Sequence, residues 1–206
     1  KRQDLSDEEN AALEPPFDEG LYGWELDYFF EEFLARFSRR SPTYVGSLRN
    51  DPSLVEHVDE LAGGSRQLVH RDFQSQNVLI RGGEVYLIDY QGLRLGLPEY
   101  DIASLIYDPY VEFSPVEREE LLTHAMRGRE PEQWLPLFRR CAAQRLMQAL
   151  GAYGKLGKGL GKSEFLAYIP NALNNLRTIL EDGELLPRLA PYLDGAALSL
   201  PMLETR

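Results

Sequence analysis

Apolar residues recur every three or four positions from residue 21 to 37. Trp24, Tyr28 and Leu34, with Phe29, Phe30, Phe33 and Phe37, predict a helix with one broad apolar face. The aromatic side chains on that face read as core. Asp51-Pro52 opens a second helix over 53–61, and Gly63-Gly64 stops it. Residues 67–69 read as a short strand. The period then changes. Residues 78–80 and 85–88 are apolar and β-branched, and they flank Gly82-Gly83, so they predict a hairpin with a tight two-residue turn. Beyond a short loop, Leu97-Pro98-Glu99-Tyr100-Asp101 leads into a helix that runs to about residue 107 and stops at Asp108-Pro109. Further helices are expected over 115–126, 133–153, 165–180 and roughly 184–193. The class is α+β, mostly helical. Residues 1–20 are acidic and carry Pro15-Pro16, which predicts a poorly packed lead-in before one domain over 21–206.

The hairpin carries the chemistry. It follows His70-Arg71-Asp72-Phe73-Gln74-Ser75-Gln76-Asn77 and ends on Asp89. A histidine, arginine and aspartate followed five residues later by asparagine, then a hairpin, then a second aspartate, is the pattern that phosphoryl transfer needs. A carboxylate takes the proton from an attacking hydroxyl, while an amide oxygen and a second carboxylate hold Mg²⁺ against the phosphates of ATP. Folding the chain back about Gly82-Gly83 sets Asn77 opposite Ile88, with Asp89 beside it. Two hard oxygen ligands of the kind Mg²⁺ takes then meet at the open end, and Asp72 lies on the loop leading there.

Length and composition narrow the reading. The chain has 206 residues, enough for one sizeable core, and 43% are hydrophobic. No apolar run approaches the roughly 20 residues that span a bilayer. A net charge of −11 argues against nucleic acid and anionic membranes as partners. It suits either a cationic substrate, such as an amino sugar or a choline-like amine, or plain solubility. The single cysteine, Cys141, sits in a helical pattern as a core residue, so no internal disulfide forms. This fits a reducing, cytoplasmic setting. Gly157-Lys158-Gly159-Leu160-Gly161-Lys162-Ser163 looks like a phosphate-binding loop, but its glycine spacing is wrong and it follows a helix where such a loop follows a strand. It reads as a flexible basic loop.

The catalytic loop, together with Ile88-Asp89-Tyr90-Gln91 and Tyr100-Asp101-Ile102-Ala103-Ser104-Leu105, resembles the aminoglycoside phosphotransferase/choline kinase family of small-molecule kinases. The likeness covers most of the chain, as the C-terminal lobe of a protein-kinase-like fold, with the small β-hairpin carrying the catalytic site. Phe73-Gln74-Ser75-Gln76-Asn77, Asp108-Pro109-Tyr110 and Leu150-Gly151-Ala152-Tyr153-Gly154-Lys155 are similar to a bacterial subgroup that acts on sugars and cell-wall amino sugars. The resemblance implies Asp72 as catalytic base and Asn77 and Asp89 as Mg²⁺ ligands. It implies His70 and Arg71 as supports of the loop, and Asp101 as a hydrogen-bond partner of that loop. An ordinary helix-start charge is the other reading of Asp101. ATP is the implied phosphoryl donor and a small-molecule hydroxyl the acceptor. No residue maps as substrate-binding.

Two departures matter. Asp89-Tyr90-Gln91 stands where protein kinases have Asp-Phe-Gly. The nucleotide cleft of this fold also needs a glycine-rich strand loop and a strand lysine. Of the 22 lysines and arginines only four are lysine, and none lies between residues 2 and 154. An N-terminal ATP-binding lobe is therefore expected to be missing, leaving a C-terminal piece that is catalytically incomplete alone, or a natural protein that has lost the lobe and only binds. A non-catalytic kinase-like binding module is thus one rival. A protein kinase is the other, disfavoured because the ten residues from Asp89 to Glu99 are too few for a peptide-docking segment.

Overall fold

A computed structural model describes residues 13–200. Its centre is a long helix, α7 (Pro131–Gly154), with α1 (Glu19–Phe29), α5 (Pro98–Ile106) and α8 (Ile169–Asp182) packed around it. Around these lie α2 (Ala35–Phe37), α3 (Pro42–Leu48), α4 (Pro52–Gly63), α6 (Pro115–Ala125) and α9 (Ala190–Leu193). Two small antiparallel sheets complete the fold. β1 (Gln67–Val69) pairs with β4 (Arg94–Gly96), and β2 (Val78–Arg81) pairs with β3 (Glu84–Leu87). Among the described residues no helix is long and apolar enough to cross a membrane.

The β2–β3 hairpin has the register its turn dictates. Gly82 and Gly83 adopt φ of 62° and 83°, the paired positive values of a type I′ turn. Val78 then faces Leu87 and Arg81 faces Glu84. The Ile88 N–H donates to the Asn77 carbonyl at 3.1 Å, so the chain ends meet as expected.

Helix starts follow their caps. Asp18, Ser41, Asp51 and Ser114 each accept a backbone N–H of the first turn. The first helix does not run evenly to residue 37. It widens into a π-turn (Phe30–Leu34) where it crosses α7. There Gly151 and Gly154 let the backbones meet: a Cβ on Gly154 would overlap the Glu32 carbonyl oxygen. Phe29, Phe30, Phe33 and Phe37 are buried, but Trp24, expected in the core, lies about half a turn round α1 from buried Tyr22 and is 50% exposed, stacked on Tyr28. Cys141 is fully buried, as its helical setting predicts.

Three further expectations need correction. The described part of the lead-in, residues 13–20, is packed by Phe17, which is fully buried, stacked on Tyr22 and tilted against Tyr100. Phe17 N donates to the Leu95 carbonyl and so ties the segment to β4. The acidic average concealed that one aromatic anchor, and residues 1–12 lie outside the described residues. Within 184–193 only α9 is helical. Glu184 and Leu186 take φ of 49° and 46°, and Pro187 disfavours helix at the residue before it. The basic 157–163 segment is docked, not loose. It begins in a π-turn (Lys155–Gly159), Lys158 Nζ donates to the Arg36 carbonyl, and Gly157 is buried against Leu166. Finally, α3 and β4 were unforeseen, each being too short to show a period.

A buried polar chain crosses the core. His57 Nε2 donates to Gln144 Oε1 at 3.1 Å, and Gln144 Nε2 donates to the Tyr22 carbonyl and to Glu25 Oε2. The amide oxygen can only accept, so the histidine is the neutral Nε2–H tautomer. Burial holds its pKa down at about 4, from 6.5. Below pH 6.5 the unfolded chain takes up a proton that the folded one refuses. Stability is therefore full above pH 6.5 and falls until about pH 4. The loss is on the order of 3 kcal/mol for a shift of this size. Urea unfolding at pH 7 and pH 4.5 should show it, and His57→Gln should remove most of that acid loss. An unchanged acid limb in the variant would assign the loss to other groups.

Candidate active site

β1 feeds the catalytic loop. Val69 is buried against the core, and the chain then turns sharply, with Arg71 at φ 75°, a left-handed conformation that non-glycine residues avoid. Asp101, in the first turn of α5, holds this turn. Its carboxylate accepts the His70 N–H at 2.6 Å and the Arg71 N–H at 2.9 Å. Burial raises its pKa, and the two N–H donors pull the other way. Just past the other end of α5, buried Asp108 accepts the Ser75 N–H at 2.6 Å and the Tyr110 N–H at 2.8 Å.

The side chains of the loop are also tied. His70 Nε2 donates to the Ile88 carbonyl at 3.0 Å, joining the loop to the strand end before Asp89. Asn77 Nδ2 donates to the Asp72 carbonyl at 2.9 Å, which leaves its Oδ1 as the free acceptor. Asp89 sits at φ 65°, directly after the hairpin, and its Oδ1 accepts from Gln91 Nε2 at 2.6 Å. Asp72, Asn77 and Asp89 thus gather at the open end of the hairpin, with His70, Arg71 and Asp101 beneath them.

Two residues that sequence reasoning missed sit against the charged side chains of the loop. Arg145 of α7 is buried, its Nη2 3.8 Å from Asp72 Oδ1. Glu25 of α1 is fully buried, its Oε1 3.8 Å from Arg71 Nη2, and it also accepts from the Tyr100 hydroxyl. Burial raises the pKa of Glu25, and Arg71 is the strongest opposing influence. Each had a signal in the sequence: a lone charge inside an apolar helix stripe. Glu25 stands between Trp24 and Leu26, and Arg145 within Cys141-Ala142-Ala143-Gln144-Arg145-Leu146.

The described residues hold no cluster of three or more histidine, cysteine, aspartate or glutamate side chains suited to a metal. Asn77 Oδ1 and the second oxygen of Asp89 have no hydrogen-bond donor among the described residues. Hard oxygen donors of this kind suit Mg²⁺, which keeps waters and substrate phosphates in its other positions.

With this geometry in view, comparison with known proteins gives a consistent result. The profile of the phosphotransferase enzyme family (APH) matches residues 5–137. This is more than half of the chain, and the chain belongs to that family. It is 26% identical over 177 residues to an N-acetylmuramate/N-acetylglucosamine kinase of Neisseria meningitidis, covering 80% of this chain and 52% of that protein. It is 26% identical over 203 residues to a protein of the same name from Pseudomonas aeruginosa, covering 87% and 58%. The chain spans about half the length of these curated relatives.

Asp101 generates a structural test. Asp101→Asn offers one oxygen where two backbone donors need charged acceptors. The change should cost about 2 kcal/mol of stability, the scale of a hydrogen bond to a charged group. Urea unfolding should show the loss, with faster hydrogen exchange at the His70 and Arg71 amides. Unchanged exchange there would mean that the loop holds its shape without the carboxylate.

Proposed function

We propose that this member of the phosphotransferase enzyme family is the C-terminal catalytic lobe of an ATP-dependent kinase that phosphorylates a hydroxyl of an amino sugar. The observation that carries the reading is the convergence of Asp72, Asn77 and Asp89 at one hairpin end, on a loop clamped from beneath. The relatives' names support the sugar class.

In this reading Asp72 is the general base. It takes the proton of the sugar hydroxyl as the oxygen bonds to the γ-phosphorus and the bond to the leaving nucleoside diphosphate breaks. Mg²⁺, held by Asn77 and Asp89, would neutralise charge on the phosphates. The remaining work belongs to the chain. Asn77 fixes the backbone of Asp72, His70 locks the loop to the hairpin, and Arg145 stands beside the base.

The hairpin's outer faces support a second lobe. Ile80 is 76% exposed and Val85 62%, and Leu79, Tyr86, Leu87, Ile88 and Tyr90 are exposed as well. A contiguous apolar surface of this kind marks a face that another body covers. Here it adjoins the site where ATP must lie. An upstream ATP-binding lobe of the same protein fits that face and the length of the relatives.

The 206 residues alone should bind Mg-ATP weakly and transfer phosphate poorly. The same chain joined to its upstream sequence should phosphorylate N-acetylglucosamine with Mg-ATP. Calorimetry and a coupled ADP assay read both outcomes, and tight ATP binding by the 206 residues alone would refute the missing-lobe proposal.

Base and metal ligands should separate in that longer protein. Asp72→Asn should lower kcat by about 10²–10⁴-fold, the usual scale for a lost general base, with ATP binding nearly intact. Asn77→Ala and Asp89→Asn should raise the Mg²⁺ concentration needed for half-maximal rate. If excess Mg²⁺ rescues Asp72→Asn but not the other two, the roles are reversed.

A further inference from the structure

Arg145 lies within the apolar face of α7, 8% exposed, yet every edge of its guanidinium is engaged. Nε donates to Ser104 Oγ at 3.1 Å, Nη1 to Gln148 Oε1 at 2.6 Å and Nη2 to Gln74 Oε1 at 3.2 Å. Nη2 is also the group beside Asp72. A guanidinium only donates. It therefore accepts neighbours only through oxygen, and both carboxamides are locked with oxygen inward and nitrogen outward. Among the described residues neither Nε2 has a hydrogen-bond acceptor, and both side chains are only half-buried. Two oriented amide donors thus stand around the guanidinium that faces Asp72.

We propose that Gln74 and Gln148 are the acceptor-recognising side chains of this site, with Arg145 a positioning residue that holds both beside Asp72. The proposal rests on the kinase reading above. The ligand class follows from the donor chemistry. Two outward N–H₂ groups next to a guanidinium meet oxygen acceptors: hydroxyls and an acyl carbonyl. A free ammonium brings only donors to the place where an acyl carbonyl accepts, so the N-acylated sugar is preferred over the free amine.

The test uses the protein with its upstream sequence, saturating Mg-ATP, and N-acetylglucosamine and glucosamine as probes. Gln148→Glu keeps the oxygen that Arg145 needs and removes both outward donors. KM for N-acetylglucosamine should rise about tenfold or more, the scale of a lost hydrogen bond. The kcat should fall far less, KM for ATP should hold, and relative use of glucosamine should increase. Gln148→Met also strips an acceptor from Arg145, so kcat should drop as well as KM rise. If Gln148 merely anchors Arg145, Gln148→Glu keeps the wild-type KM and only Gln148→Met is impaired, which overturns the assignment. A wild type that prefers glucosamine overturns the ligand class, whatever the variants do. A wild type that phosphorylates neither sugar fails at the kinase reading itself, and the assignment falls with it.

Discussion

One short helix holds the catalytic loop at both ends. Asp101 opens α5 and takes the N–H groups of His70 and Arg71. Asp108 follows its last turn and takes the N–H of Ser75. Between these clamps lies Asp72. The clamp is needed because Arg71 occupies a left-handed conformation costing about 1–2 kcal/mol. Hydrogen bonds to charged acceptors contribute about 1.5–3 kcal/mol each, enough to impose that geometry. α5 is in turn seated on α7 through Tyr100, Ala103 and Ile106, all buried. The position of the base is thus set by helix packing, and the loop's own propensities have little say in it.

The buried charges beneath the loop follow from this arrangement. Glu25 and Arg145 are desolvated, and each is tolerated because other groups meet it. Glu25 receives Tyr100, Gln144 and the nearby Arg71, while Arg145 reaches Ser104, Gln148 and Gln74. Removing one member leaves its partner charged and unpaired, which is far costlier than the pair is favourable. Such a network adds little net stability, but it admits few alternative packings. It links α1, α4, α5 and α7 to the two arginines that flank the base.

The hairpin was legible because its signals are local. Gly82-Gly83 demands positive φ, the flanking residues are β-branched, and the register then follows by counting, down to Asn77 opposite Ile88. Asp101 could be read as a helix-start charge as well as a loop partner, and the structure shows it in both places. Glu25 and Arg145 were hidden because all their partners but Gln148 are 41 to 119 residues away and a charge in an apolar stripe looks like noise. The phosphate-loop likeness of residues 157–163 was set aside on its spacing, and the nearby glycines 151 and 154 serve a close helix crossing. Phe17 was masked by acidic neighbours, and β4 becomes a strand only because β1 lies beside it.

Asp72 is gripped differently on its two sides, and that asymmetry suits the proposed reaction. Its backbone carbonyl accepts Asn77 Nδ2, on the hairpin side where Asp89 and the proposed metal ligands stand. Its carboxylate faces Arg145, on the α7 side where Gln148 projects. In-line phosphoryl transfer requires the donor phosphate and the attacking hydroxyl to approach from opposite directions. A base fixed by its main chain to the phosphate side, with its side chain turned to the hydroxyl side, meets that requirement without movement of the loop. The exposed apolar hairpin lies on the phosphate side, so a lobe docking there would enclose the nucleotide and leave the α7 face open to the sugar. The division also explains how two kinds of specificity can coexist around one carboxylate. In the proposed reaction the metal would be held by carboxylate and amide oxygens, and the sugar met by amide nitrogens that Arg145 keeps pointing outward.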